Sequence, residues 1–355
     1  MHGIIKDQMK SKERMDAFFA GKAIDRLPII PLLGEPAAKF IGVSIREYAH
    51  STELLVKAET FCYKTFGCDG VGVGPSLHGI AEAMGTQLVY KEFISPFVGQ
   101  PILKDAALLD QLVPVNPSRD GRLPIFLEAL KILVETLGSE VGVGSTLGGP
   151  FTTATSLRGT ENFLKDTLRN PEGAHKLLQL VTESALNYID AASDLGAGIS
   201  IAEPAATGNM ISVKMFREFA KPYLLRYVER IKKKTGKAPS LHICGDSSRL
   251  WEDMVEIGAG TLSLDNVVDL AQAKERVGHQ VCLMGNIKPV ETVYLGSKQD
   301  IFAEVRECVR KMYDNPKGYI ISTGCQIPFG TSQEKVQMFM DAARYYGRYP
   351  VDPSR

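Results

Sequence analysis

His242-Ile243-Cys244 is a segment whose residue types and spacing could do chemistry. On an extended segment side chains alternate, so His242 and Cys244 point the same way. A further soft donor, Cys325, ends another strand-like run much later in the chain. One imidazole and two thiolates suit Zn2+, and three protein ligands with a position left for substrate mark a catalytic zinc site. Such a metal holds an incoming thiol as its thiolate at neutral pH. The thiolate is the nucleophile that alkyl transfer to sulfur requires. By spacing alone a second reading stands beside this one: a buried histidine and two buried cysteines at strand ends.

These residues need elements to bring them together. Eight short β-rich runs alternate with helical patterns: 27–32, 70–74, 141–146, 199–202, 240–243, 261–264, 281–284 and 319–322. Most are continuous apolar or β-branched runs, as expected for strands buried on both faces. Between them, 122–137, 213–233, 248–257, 270–277, 300–313 and 333–346 carry apolar residues at helical spacing. Ser212 reads as a helix cap, and Gly236, Gly258 and Gly278 as helix ends. This alternation predicts a (β/α)8 TIM barrel, formed as a single domain over residues 1–355 with an N-terminal helical cap at 1–25. The stretch 87–117 reads as an excursion beside the barrel mouth.

Active sites of such barrels lie at the C-terminal strand ends. Glu35, His78, Gly148, Gly149, Thr152, Glu203, Asp265 and Asn286 also fall there. Glu203, between an apolar run and Pro204, is the strongest lone carboxylate; its alternative is an exposed loop acid. With Asp265 and His78 it makes a catalytic or pocket set. Gly148 and Gly149, grouped with Asn286 as cofactor-binding, read either as a tight turn or as backbone that lets a large planar ligand approach. Cys282 and Cys308 read as core residues. Cys62 and Cys68 match no standard zinc spacing. His50, His175 and His279 read as surface groups.

The composition agrees with an enzyme of this kind. Lys+Arg and Asp+Glu are both 41, which gives no broad basic footprint for nucleic acid. No apolar run approaches the length that spans a bilayer. The polar start at 1–14 does not read as a signal peptide, and six cysteines are too sparse for a disulfide scaffold. The expectation is a cytoplasmic protein with no nucleic-acid or membrane partner.

The segments His242-Ile243-Cys244-Gly245-Asp246, 262–270, Gly285-Asn286-Ile287-Lys288-Pro289 and Ser322-Thr323-Gly324-Cys325 together resemble the uroporphyrinogen decarboxylase superfamily. Within it, the zinc methyltransferases that act on methylated corrinoid proteins are the most similar branch. The resemblance implies a barrel fold and zinc on His242, Cys244 and Cys325. It also implies methyl transfer between a methylcobamide (cobalamin) carried by a separate corrinoid protein and a small thiol such as coenzyme M, or a run toward the corrinoid from a methyl donor. For the fourth resting ligand it leaves water, Asp265 or Glu203. The alternative is a decarboxylase-like lyase acting on a tetrapyrrole; a non-catalytic zinc or corrinoid binder is a third reading. Decarboxylases of the superfamily carry arginines after strand one and an aspartate after strand two. Here those stretches read Leu33-Gly34-Glu35-Pro36-Ala37-Ala38 and Gly74-Pro75-Ser76-Leu77-His78-Gly79.

Overall fold

The structure, a computed structural model, describes residues 7–355. The part of the expected N-terminal cap at residues 1–6 lies outside the described residues. The strands are β1 (Val71–Gly72), β2 (Gln87–Val89), β3 (Phe97–Gln100), β4 (Val143–Gly148), β5 (Gly198–Ala202), β6 (Ser240–Ile243), β7 (Thr261–Leu264), β8 (Cys282–Ile287) and β9 (Tyr319–Thr323). Seven of them form one sheet in the order β1-β4-β5-β6-β7-β8-β9, with every pairing parallel. The continuous apolar runs are explained: β7, β8 and β9 are buried along their whole length.

The first expected run, 27–32, forms no ladder. Pro28 and Pro31 lack the N–H groups that a central strand must donate. The segment instead makes a single parallel bridge, Ile29 to Ile321. Ile30 N–H donates to Ile321 O at 3.0 Å, and Ile321 N–H to Pro28 O at 2.9 Å. On its other side Asp69 N–H donates to Ile29 O at 2.9 Å. The segment thus bridges β9 and meets Asp69, two residues before β1. The fold is α/β on a curled seven-stranded parallel sheet, where the sequence predicts eight strands.

Helices join successive strands. Leu123–Leu137, Leu270–Val277, Lys298–Met312 and Gln333–Gly347 follow the predicted patterns closely. The expected helix at 213–233 is interrupted. A short turn at Val213–Met215, capped by Ser212 Oγ, passes through a π-helical turn at Phe216–Ala220 into the helix Lys221–Thr235. Pro222 accounts for this, since its ring disrupts a regular α-helical bond to the preceding turn. Gly236 and Gly258 end helices at φ 70° and 89°, but Gly278 stays right-handed at φ −63°. The excursion 87–117 holds the antiparallel β2–β3 hairpin and a 3-10 turn at Ala106–Gln111.

The helix Ser11–Phe19 covers the N-terminal ends of the strands. Ser11 Oγ donates to Cys68 O, before β1, and Lys12 N–H to Glu140 O, before β4. Beneath it lies a buried ion network. Arg14 pairs with Asp25 and Asp69, both at 2.6 Å. Arg26 pairs with Asp69 at 2.5 Å and Asp7 at 2.7 Å, and Arg344 reaches Asp7 at 3.3 Å. Charged, fully paired groups thus tie the first, second and last elements at the closed end, and the other end stays free for a site. No helix among the described residues is long and apolar enough to cross a membrane.

Candidate metal centre

His242 ends β6, whose residues alternate in burial: Leu241 and Ile243 are fully buried while His242 is half-buried. Cys244 follows in the same direction, and Cys325 leaves β9 two residues after Thr323. A ring nitrogen of His242 and the two sulfurs all lie within 4.8 Å of one another. Nε2 is 2.9 Å from Cys244 Sγ, and the sulfurs are 3.9 Å apart. No carboxylate among the described residues joins this group.

The surroundings suit a soft dication. His242 Nδ1 lies 3.1 Å from both the carbonyl O and the Oγ of Ser263. A carbonyl only accepts, so Nδ1 carries the proton and the Nε2 lone pair faces the sulfurs. Register sets this contact, since His242 pairs with Ser263 across the β6–β7 ladder. The hydrogen bond from Cys244 lowers the Cys325 thiol below its ordinary value, and the same contact raises Cys244. A dication held between the sulfurs would favour loss of the Cys244 proton too. The donor set and its second-sphere carbonyl therefore fit zinc.

Asp265 and Asn286 build the rim. Asp265 Oδ2 accepts from Gly245 N–H at 2.8 Å, pinning the turn just after Cys244. Asn286 donates from Nδ2 to Asp265 O at 2.9 Å and to Val268 O at 2.8 Å, holding that loop in place. Asp265 therefore sits beside the three donors without being one of them.

Glu203 is fully buried, which removes the exposed-loop alternative. Its carboxylate accepts from Phe151 N–H at 2.9 Å, from Thr152 N–H at 2.7 Å and from the Thr152 hydroxyl. It caps the helix Pro150–Arg158 from a distant part of the chain. Burial pushes its carboxyl up to about 7, against those hydrogen bonds. Its own N–H donates to His242 O at 2.8 Å. Gly148 and Gly149 are where backbones close in: a Cβ on Gly148 would lie 2.4 Å from Leu77 O, and one on Gly149 2.3 Å from Glu203 Oε2.

His78 Nδ1 is 2.9 Å from Ser156 Oγ, whose own proton goes to Thr152 O at 2.8 Å. Ser156 thus accepts from His78 Nδ1–H, leaving Nε2 as the basic nitrogen. Burial lowers the His78 pKa, although Glu35 and Glu82 oppose this, so the ring is neutral at pH 7. Ser263 and Gln326, whose Nε2 donates to Oε2 of the expected mouth residue Glu35 at 2.6 Å, are site neighbours that sequence reasoning missed. A serine inside the buried run 261–264 was the available signal for the first.

Cys282 and Cys308 are core residues as expected, and Cys62 and Cys68 are buried as well. His50 and His279 are exposed. His175 departs from its expected surface position. It is half-buried, stacked on Phe219 at 4.6 Å, with Nδ1 2.9 Å from Tyr223 Oη.

A curled parallel sheet with a soft-donor cluster at its C-terminal strand ends defines a TIM-barrel-like α/β protein whose site lies where that class carries its chemistry. The chain belongs to the uroporphyrinogen decarboxylase (URO-D) family, which matches residues 10–346. Relatives include the methylcobamide:CoM methyltransferase MtaA of Methanosarcina barkeri, 27% identical over 94% of this chain and 98% of that one. They also include the chloroplastic uroporphyrinogen decarboxylase 2 of Oryza sativa subsp. japonica, 29% identical over 85% of this chain and 77% of that one. A solved methyltransferase from Methanosarcina mazei superposes with a TM-score of 0.84 at 26% identity, covering 96% of this chain and 99% of that one.

Proposed function

We propose that this chain is a zinc-dependent methyltransferase. It moves a methyl group between a methylcobamide on a separate corrinoid protein and a thiol or other acceptor. The observation that carries this reading is the convergence of His242, Cys244 and Cys325. The similarity over nearly the whole chain to a methylcobamide-named methyltransferase, and to a solved methyltransferase, supports it. The hydrogen bonds of the 28–30 segment to β9 and to Asp69, just before β1, support a closed (β/α)8 reading, and a large apolar cluster running from Leu27 to Ala343 supports a single domain.

His242, Cys244 and Cys325 would hold the metal. Bound there, zinc supplies the Lewis acidity that keeps an acceptor sulfur deprotonated at neutral pH. The remaining work belongs to the chain. Ser263 fixes the His242 tautomer, and Asp265, braced by Asn286, fixes the turn that aims Cys244. Glu203 holds the His242 backbone on one side and the helix after β4 on the other. Gly148 and Gly149 permit that close packing. His78 offers a neutral ring nitrogen on the β1 side.

The mouth does not favour tetrapyrrole decarboxylation. A porphyrinogen carries many carboxylates and calls for cations, but the loop after the first segment presents Glu35.

The test is a spectrophotometric assay with methylcobalamin and a panel of thiols. Zinc-loaded chain should release cob(I)alamin, and zinc-stripped chain should not. Equal rates with and without zinc would overturn the metal's role.

A further inference from the structure

The flanks of the cluster carry polar atoms that no neighbour uses. Beside Cys325, the Gln326 amide donates to Glu35 Oε2 at 2.6 Å. No hydrogen bond or ion pair among the described residues involves Oε1 of this half-buried carboxylate. Lys39, one helical turn on, would be the obvious counter-charge, but it gives its ammonium to Gly330 O at 2.7 Å. His78 is close enough to feel Glu35 but is neutral at pH 7, so it does not cancel the charge. Its Nε2 has no partner among the described residues.

The Cys244 flank repeats the pattern. Thr207 is 7% exposed, and its Oγ1 is buried with no hydrogen-bond partner. It lies over the turn after Cys244: a Cβ on Gly245, at φ +72°, would be 3.0 Å from Thr207 Oγ1 and 3.4 Å from Asn209 Nδ2. The side chains that touch the cluster or the residues flanking it include Thr207, Asn209, Ser263, Asp265, Gln326 and Glu35, none of them cationic.

An uncancelled carboxylate in a half-buried mouth is costly unless a cation or strong donor meets it. The free atoms, Glu35 Oε1, His78 Nε2 and Thr207 Oγ1, can all accept. We propose that Glu35 is a specificity-determining residue. It selects a substrate whose non-reacting end is cationic, such as an aminoalkyl thiol, over one that ends in an anion. This deepens the methyl-transfer reading, because it names the substrate class of the same site.

Three thiols of equal chain length separate the cases: 2-aminoethanethiol (cation), 2-mercaptoethanol (neutral) and 2-mercaptoethanesulfonate (anion, coenzyme M). Calorimetric binding to the zinc-loaded chain should rank them in that order, with the cation favoured over the anion by roughly tenfold or more. The preference should shrink with added salt. In Glu35→Gln, which keeps an acceptor for Gln326, the cation-to-anion ratio should collapse toward one. If the variant does not fold, the wild-type ranking and its salt dependence still decide. Equal binding of all three, or tightest binding of the sulfonate, overturns the proposal. If the ranking holds but methylcobalamin transfers its methyl to none of them, methyl transfer falls and the selectivity stands. If all three are methylated with equal kcat/KM and equal affinity, the reverse is true.

Discussion

At the scale of single residues, the metal assignment rests on donors that converge from two strands. His242 and Cys244 depend on each other through β6, whereas Cys325 arrives independently from β9. Cys325→Ala should therefore lower zinc affinity by more than the roughly 10–100-fold expected when a supporting residue is lost. Circular dichroism should be unchanged, because the residue is half-buried beyond the end of β9 and outside the apolar core. Elemental analysis after dialysis against a weak chelator reads the outcome. Retention of wild-type zinc would remove Cys325 from the ligand set. Legibility was uneven here. Alternation along an extended segment is local, so the common direction of His242 and Cys244 was readable. The Ser263 contact depends on β6–β7 register, and the Glu35–Gln326 contact depends on where the ends of a distant segment meet.

At the scale of elements, the helix Pro150–Arg158 starts on a carboxylate from the loop after β5. Gly149 makes room for it, and its φ of −68° would suit alanine. Backbone strain is therefore not the reason for glycine here; the 2.3 Å approach to Glu203 is. Gly149→Ala should cost about 1–3 kcal/mol by forcing Glu203 away from Phe151 and Thr152 N–H. Urea unfolding should show a lowered midpoint with unchanged slope. A midpoint equal to wild type would mean that the carboxylate shifts without loss. The sequence marked Glu203 as a residue at the mouth. Only the packing of the loop against the next helix shows that its oxygens are spent on a cap.

At the scale of the whole molecule, one buried acid makes stability depend on pH. Glu59 lies on the helix Thr52–Phe66, accepts from Gly72 N–H at 3.1 Å and lies 3.4 Å from Tyr48 Oη. Burial raises its carboxyl from 4.5 to about 7, and these two hydrogen bonds only partly offset that. A raised acid is protonated in the folded chain over a range where the unfolded chain has ionised. Its penalty is absent below pH 4.5, grows as pH rises to 7 and is constant above. The span corresponds to about 3 kcal/mol. Glu59→Gln keeps an acceptor for Gly72 and cannot ionise. Wild type should therefore lose stability relative to this variant by about that amount across the window. Chemical denaturation at several pH values measures the difference, and a constant difference would show that Glu59 does not titrate on unfolding.

The sequence by itself determined which groups are available. It supplied the soft donors and their shared direction, the buried strands, the prolines that deny 27–32 a ladder, and the absence of arginine from 33–38. Each of these is a property of a few adjacent residues. Tertiary structure decided which groups meet. It set the 4.8 Å cluster, assigned Asp265 and Asn286 to bracing a turn, turned Glu203 into a helix cap and placed Glu35 beside Cys325 through Gln326. Those outcomes depend on ladder register and on how far the sheet curls, and both are set by packing across the whole core.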